Sequence, residues 1–225
     1  MEEPKHNIHW VTFLLSWVAG FCDTVTFVSG GAIFSAHVTG NFITFAAQMV
    51  SGGRSGDWIK LMTFPIFVVA VMAGGWLSTV LVRKYRILMV ESLLLILTGV
   101  AAMFLPLMNS FMVYLLVFMV VVAMGLQNAF GKLFAKETHG PTTMMTGNVT
   151  QAALDLGNLV RTGFKEPAAL QSLRNVSILI GGFLLGCLMG GIMARYLGLT
   201  SIIGPGVAIC ICYLTREALP RRQQV

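Results

Sequence analysis

The chain has 225 residues, of which 56% are hydrophobic and 11% charged, and a mean hydropathy of +0.80. A soluble globule carries about 25% charged residues, so this composition excludes a soluble domain and predicts an all-α polytopic membrane protein whose first partner is the lipid bilayer. The net charge of +6 follows the loops and tail between apolar runs, a pattern that suits anionic lipid at a membrane face rather than nucleic acid.

The first predicted span covers about 10–28 and is interrupted only by Asp23. Its leader, "MEEPKHNIH", is as acidic as it is basic. A secretory signal needs a basic leader and an uncharged apolar region, so this helix is expected to stay in the protein. A shorter stretch, about 34–50, contains "FSAHVTGNFITF". Two further spans follow at about 61–82 and 87–105, and Pro106 and Asn109 in "FLPLMNS" are expected to turn the chain into a fourth at about 111–131. A second short stretch, about 141–160, contains "PTTMMTGNVTQA". The last two spans are predicted at about 175–194 and 197–214. About 20 apolar residues cross the hydrocarbon core as a helix, so the expectation is six main transmembrane helices plus two shorter membrane segments, each carrying Thr-Gly-Asn.

The basic residues weigh on how those two segments sit. If both enter and leave by one face, the N-terminal side collects 12 of the 15 Lys and Arg and leaves Arg54, Lys60 and Arg195 opposite. If both cross fully, giving eight spans, the split is 9 to 6. The positive-inside rule favours the first arrangement, and both put the two termini in the cytoplasm.

The two Thr-Gly-Asn tripeptides lie 107 residues apart, and Arg54 precedes Arg161 by the same offset. Upstream, "AGFCD" (19–23) matches "MGLQN" (124–128), placing Gly20 on Gly125 and Asp23 on Asn128; downstream, Gly74 falls on Gly182. The expected organisation is one membrane domain built of two repeats, about 8–105 and 111–215, related by a pseudo-twofold axis. With six spans the repeats are inverted, a plan that recurs in transporters. Gly182, Gly186 and Gly190, like Ala70, Gly74 and Ser78, set small residues four apart, which lets helices approach closely and offers a face for a homo-oligomer.

A carboxylate inside a span costs about 2.5–3.5 kcal/mol on insertion scales and usually lines a cavity or a proton path, which singles out Asp23. Gln127 and Asn128 form the matching polar patch. In each tripeptide the glycine permits a break, while Thr39 with Asn41, and Thr146 with Asn148, are expected to cap the helix that follows. A helix starting inside the bilayer turns its positive end to whatever sits there, so the pair of breaks suggests a central site; the alternative is two ordinary loop caps at the surface. His37, Gln151 and Asp155 extend the candidate lining. Glu91 is close enough to a helix end to pair with Arg or to snorkel and is read as structural.

Cys22, Cys187, Cys210 and Cys212 fall inside spans without ligand spacing, so neither a metal nor a cofactor is expected. "GLQNAFGKL" (125–133) departs from a phosphate loop in its glycine spacing and lacks the magnesium-binding hydroxyl. No nucleophile motif occurs, and no enzymatic activity is expected.

Through "GFCDTVTFVSGGAIFSAHVTGN", "MGLQNAFGK" and "MMTGNVT", the chain resembles over almost its whole length the YoaK-like family of small bacterial multi-pass membrane proteins. The resemblance implies a bacterial inner-membrane protein of about six helices and supplies no substrate. The expected function is a secondary transporter or channel for a small polar solute; the alternative is a non-transporting membrane scaffold or assembly partner.

Overall fold

A computed structural model of the chain describes residues 5–52, 57–81, 83–106 and 110–218, with side chains from residue 8 to residue 215. Arg54, Asn109, Arg221 and Arg222 lie outside the described residues. The described chain is helical, with eight α-helices and one 3-10 turn. In chain order these are α1 (Lys5–Ser29), α2 (Gly40–Val50), α3 (Ile59–Val80), α4 (Arg86–Phe104), α5 (Ser110–Leu133), α6 (Met145–Arg161), α7 (Pro167–Leu197), the 3-10 turn Gly198–Ile202, and α8 (Ile203–Ala218).

The protein is a polytopic helical membrane protein. Five apolar segments are long enough to cross a bilayer: Ile8–Ser29, Ile59–Val80, Arg86–Phe104, Ser110–Leu133 and Pro167–Thr215. The fifth holds both of the last predicted spans, and Gly198, at φ 56°, ends α7 there. A positive φ is easy only without a Cβ, which is why the break falls at this residue. α7 starts at Pro167, eight residues before the predicted span, because a span reads only the apolar part while a helix can continue through polar residues in solvent. The helices that carry Thr-Gly-Asn are short. At a rise of about 1.5 Å per residue, the 11 residues of α2 and 17 of α6 reach about 16 and 25 Å, against a hydrocarbon core of about 30 Å.

Burial separates an inner helix from an outer one. The apolar window of α1 is 72% buried within the protein, and that of α3 only 17%. Met72, Trp76, Leu184, Leu188 and Ile192 are exposed; in a bilayer this apolar surface is what the acyl chains cover. The core consists largely of α1, α4 and α5 side chains, with Leu15, Leu88, Leu95, Met124 and Phe130 fully enclosed.

Glycines set the helix pairing, and they set it between the halves. α1 packs along α7, and α5 along α3. A Cβ at Gly182, Gly186 or Gly190 would stand 2.8, 2.1 or 2.6 Å from the carbonyl oxygens of Phe13, Trp17 and Phe21 on α1, and one at Gly20 would stand 2.2 Å from that of Phe183. The other pair uses the equivalent positions: a Cβ at Gly125 would meet that of Ala70 at 2.6 Å, and one at Gly74 that of Ala129 at 2.5 Å. α4 and α8 cross reciprocally, Gly99 against Ile203 and Gly206 against Ile96, pairs related by the same offset of 107. The α7 stripe is therefore occupied by the chain's own α1. It is not an open face for a homo-oligomer, contrary to the expectation above.

Overpacking a tight contact costs about 1–3 kcal/mol, occasionally more, because backbone rather than a flexible side chain must move. Gly186→Leu is accordingly expected to lower the thermal unfolding midpoint of the detergent-purified protein. Gly75, with no atom within 4 Å of its Cβ position, provides the contrast. Gly75→Ala is expected to raise the midpoint slightly, since alanine gains about 1 kcal/mol over glycine in a helix interior.

Candidate functional site

Each Thr-Gly-Asn sits where a short helix begins, and its asparagine fastens the incoming loop. Asn41 is fully buried. Its Oδ1 accepts from the Phe34 N–H at 2.8 Å, while its Nδ2 donates to the Phe34 carbonyl at 2.8 Å and to Thr63 Oγ1 on α3 at 3.0 Å. Asn148 does the equivalent: its Nδ2 donates to the Pro141 carbonyl at 2.9 Å. Both asparagines reach back seven residues, and Phe34 and Pro141 are themselves 107 apart.

The expected caps do not form. The residues preceding the two helices, Thr39 and Met144, make no side-chain cap hydrogen bond, and Thr146 lies within the first turn of α6, exposed. At α2 the reason is local. Thr39 is already in the helical region, at φ −69° and ψ −23°, and the amides of Gly40, Asn41 and Phe42 are bonded to the carbonyls of His37, Val38 and Thr39 at 2.8, 3.1 and 3.2 Å. Tight i→i−3 bonds leave those first amides with no need of a cap. They also withdraw them from any solute.

The loop before α2 is held on α1 by Asp23, which is 3% exposed. Its Oδ1 accepts from the Ala36 N–H at 2.6 Å and, more weakly, from Ser35 Oγ at 3.3 Å and the His37 N–H at 3.4 Å. Its Oδ2 meets His37 Nδ1 at 2.5 Å. With these contacts spent on backbone and side chains of the loop, Asp23 acts as a structural anchor for it.

Asn128 occupies the corresponding place in the second half. Its Oδ1 accepts from Thr143 Oγ1 at 2.5 Å and its Nδ2 donates to the Met124 carbonyl at 2.9 Å. Neighbouring Gln127, fully buried, donates from Nε2 to the Leu15 carbonyl at 2.8 Å and to Thr142 Oγ1 at 3.0 Å. The loop 134–144 is fastened at its other end too. Lys84 pairs with Glu137, whose Oε2 accepts from Tyr85 OH at 2.5 Å. Thr12 Oγ1 on α1 accepts from the His139 N–H at 3.1 Å, and the His139 ring meets His9 at 2.7 Å. Burial, and then the neighbouring His9, push the His139 imidazole below its ordinary value.

Beside the second loop lies a cavity of about 220 Å³, lined by Gln127, Asn128, Lys132, Pro141, Thr142, Thr143 and Met144 on one side and by Phe67 and Val71 of α3 on the other. Gln127 Oε1 is buried among these groups with no hydrogen-bond partner in the described residues. An acceptor left unpaired costs about 1–3 kcal/mol; this oxygen is closed off by its neighbours, so a donor in the cavity gains by meeting it only when the lining shifts. α6 begins at the cavity edge, one residue past Met144, and Lys132 is the charged residue in the lining. The lining therefore combines an acceptor, hydroxyls, a cation and the positive end of a helix, which suits a small neutral or anionic hydrogen-bonding solute.

A family model described as a protein of unknown function, DUF1275, matches residues 11–215. The chain belongs to the DUF1275 family. Among curated proteins and solved structures, none matches it.

In this DUF1275 protein the expected site residues separate into groups. Asp23 and His37 are joined to each other, and Gln127 and Asn128 to the second loop. α2 and α6 do not touch, so Asn41 and Asn148 remain in their own loops rather than converging. Gln151 donates to Asp155 Oδ1 at 2.9 Å along α6, away from the cavity lining. Lys132, Thr142 and Thr143 were missed from sequence, although the paired threonines stand just upstream of the motif. Glu91 also differs from expectation: it is fully buried and has no Arg partner among the described residues. The helix end near it is covered by protein rather than solvent, as the fully buried Ile87 and Leu88 show.

Proposed function

We propose that this protein is a secondary transporter or channel for a small hydrogen-bonding solute, neutral or anionic. It is read as a YoaK-like protein of the bacterial inner membrane, with both termini in the cytoplasm and α2 and α6 each dipping in and out by the face it starts from, opposite faces for the two. The observation that carries the reading is the cavity beside loop 134–144, lined by Gln127, Asn128, Lys132 and two threonines, with Gln127 Oε1 unpaired just behind it. At about 30 Å³ per water molecule in the liquid, its volume suits a solute of only a few heavy atoms. The cross-packing of the halves supports the same reading, because two bundles interlocked around an axis can rock against each other. The scaffold reading draws on the tight α1–α7 contact and leaves the cavity lining without a role.

Stopped-flow swelling of proteoliposomes, under gradients of urea, glycerol, formate and acetate, tests the proposal. The expected result is entry of at least one osmolyte faster than into empty liposomes. Gln127→Leu is expected to slow it, and Lys132→Glu to slow formate and acetate more than urea and glycerol. Rates equal to those of empty liposomes for all four would favour the scaffold.

A further inference from the structure

Glu91 is the one carboxyl group among the described residues with both oxygens buried and neither hydrogen-bonded. It stands on α4 with Ile87, Leu88, Ser92 and Leu95, all buried, and its residue exposure is 0%. The titratable group that interacts with it from α1 is Cys22, and Asp23, the next residue along, acts on Cys22 in turn. The Asp23 carboxylate is saturated by the Ala36 amide and His37, and the sole hydroxyl adjoining Glu91 on α4, that of Ser92, donates to the Gly206 carbonyl at 2.8 Å. Among the described residues, no charged group of α5, the 3-10 turn or α8 acts on it.

An ionised carboxylate in such a place lacks water, a cation and any donor, and desolvation alone costs several kcal/mol. A buried group in that position takes up a proton instead. Nothing in the packing requires a carboxyl there: leucine or methionine fills a core at comparable volume without this cost. The neighbouring Ser92 touches Gly206 at the α4–α8 crossing, a contact between the two halves.

We infer that Glu91 is a proton-binding site, holding one proton in the closed arrangement described here and releasing it to water when the α4–α8 crossing opens. The balance is simple: the carboxylic O–H breaks, its electron pair stays on the carboxylate, and the proton passes to water on the open side. On the transport reading above, on which this part rests, Glu91 couples solute movement to protons.

Two measurements on the full chain separate the two ideas. In lipid nanodiscs, the infrared carbonyl band of a protonated carboxylic acid is expected to persist at neutral pH, to be missing in Glu91→Gln, and to remain in Asp23→Asn. No band lost in Glu91→Gln would overturn the inference. In proteoliposomes loaded with a pH-sensitive dye, a gradient of whichever osmolyte the protein passes is expected to move protons, and Glu91→Gln to reduce that flux to the rate of empty liposomes. Osmolyte entry without proton flux in the unsubstituted protein overturns the coupling and leaves the solute pathway standing. A Glu91 band with no osmolyte entry overturns the pathway and leaves proton binding standing.

Discussion

Replacing Asp23 by alanine is expected to destabilise the folded protein by about 2–4 kcal/mol, because it leaves the buried Ala36 amide and Ser35 hydroxyl without their acceptor at about 1–3 kcal/mol per group. The carboxylate fixes loop 30–39 to α1 through the Ala36 amide at 2.6 Å and His37 at 2.5 Å. Most of the cost lies with the buried amide, since the His37 side chain is 36% exposed and water can replace part of what it loses. Asp23→Asn retains a carbonyl oxygen for the Ala36 amide while giving up the charge, so it should cost less, about 1–3 kcal/mol. Denaturant titration in detergent, read by tryptophan fluorescence, ranks the two. An alanine variant as stable as the parent would remove Asp23 from the role of anchor. The ranking also matters for swelling assays: loss of flux in Asp23→Ala would report loss of the loop, whereas the asparagine variant tests the charge itself.

The two motif asparagines are expected to differ in cost although their surroundings match. Asn41→Leu strips partners from the Phe34 N–H and C=O and from Thr63, and at about 1–3 kcal/mol per buried group left unpaired the loss should reach about 2–4 kcal/mol after local relaxation. Asn148→Leu removes one good hydrogen bond, to the Pro141 carbonyl, and should cost about 1 kcal/mol. The physical cause is a single residue. Proline at 141 has no N–H, so the two-point clasp that Asn41 makes on Phe34 cannot close at Asn148. The same assay decides, and a larger loss for Asn148→Leu would contradict the two-point clasp of Asn41 on Phe34.

Much of this architecture could be read from the residues. The apolar runs placed every long helix, because a chain in lipid must satisfy its backbone within each span, and hydrophobic length is a local property. The offset of about 107 that links Asn41 to Asn148 also links Gly20 to Gly125, Phe34 to Pro141 and Gly99 to Gly206, and each pair makes matching contacts. The site was only partly legible. Asn41 and Asn148 were found by their repetition, yet their task was misread as capping. A cap is a contact within a few residues, whereas these side chains reach back seven, around a loop whose path no periodicity specifies.

What the sequence determined by itself was class, span positions and the small-residue faces, all fixed by composition and spacing along one helix at a time. Only the tertiary structure decided which faces meet. It set Gln127 on the Leu15 carbonyl 112 residues away, pressed the glycines of α7 onto α1 rather than onto another chain, and enclosed Glu91. Each of those outcomes depends on contacts between helices distant in the chain, and a side chain's hydrogen-bond partners and access to water follow from those contacts, not from its neighbours in sequence.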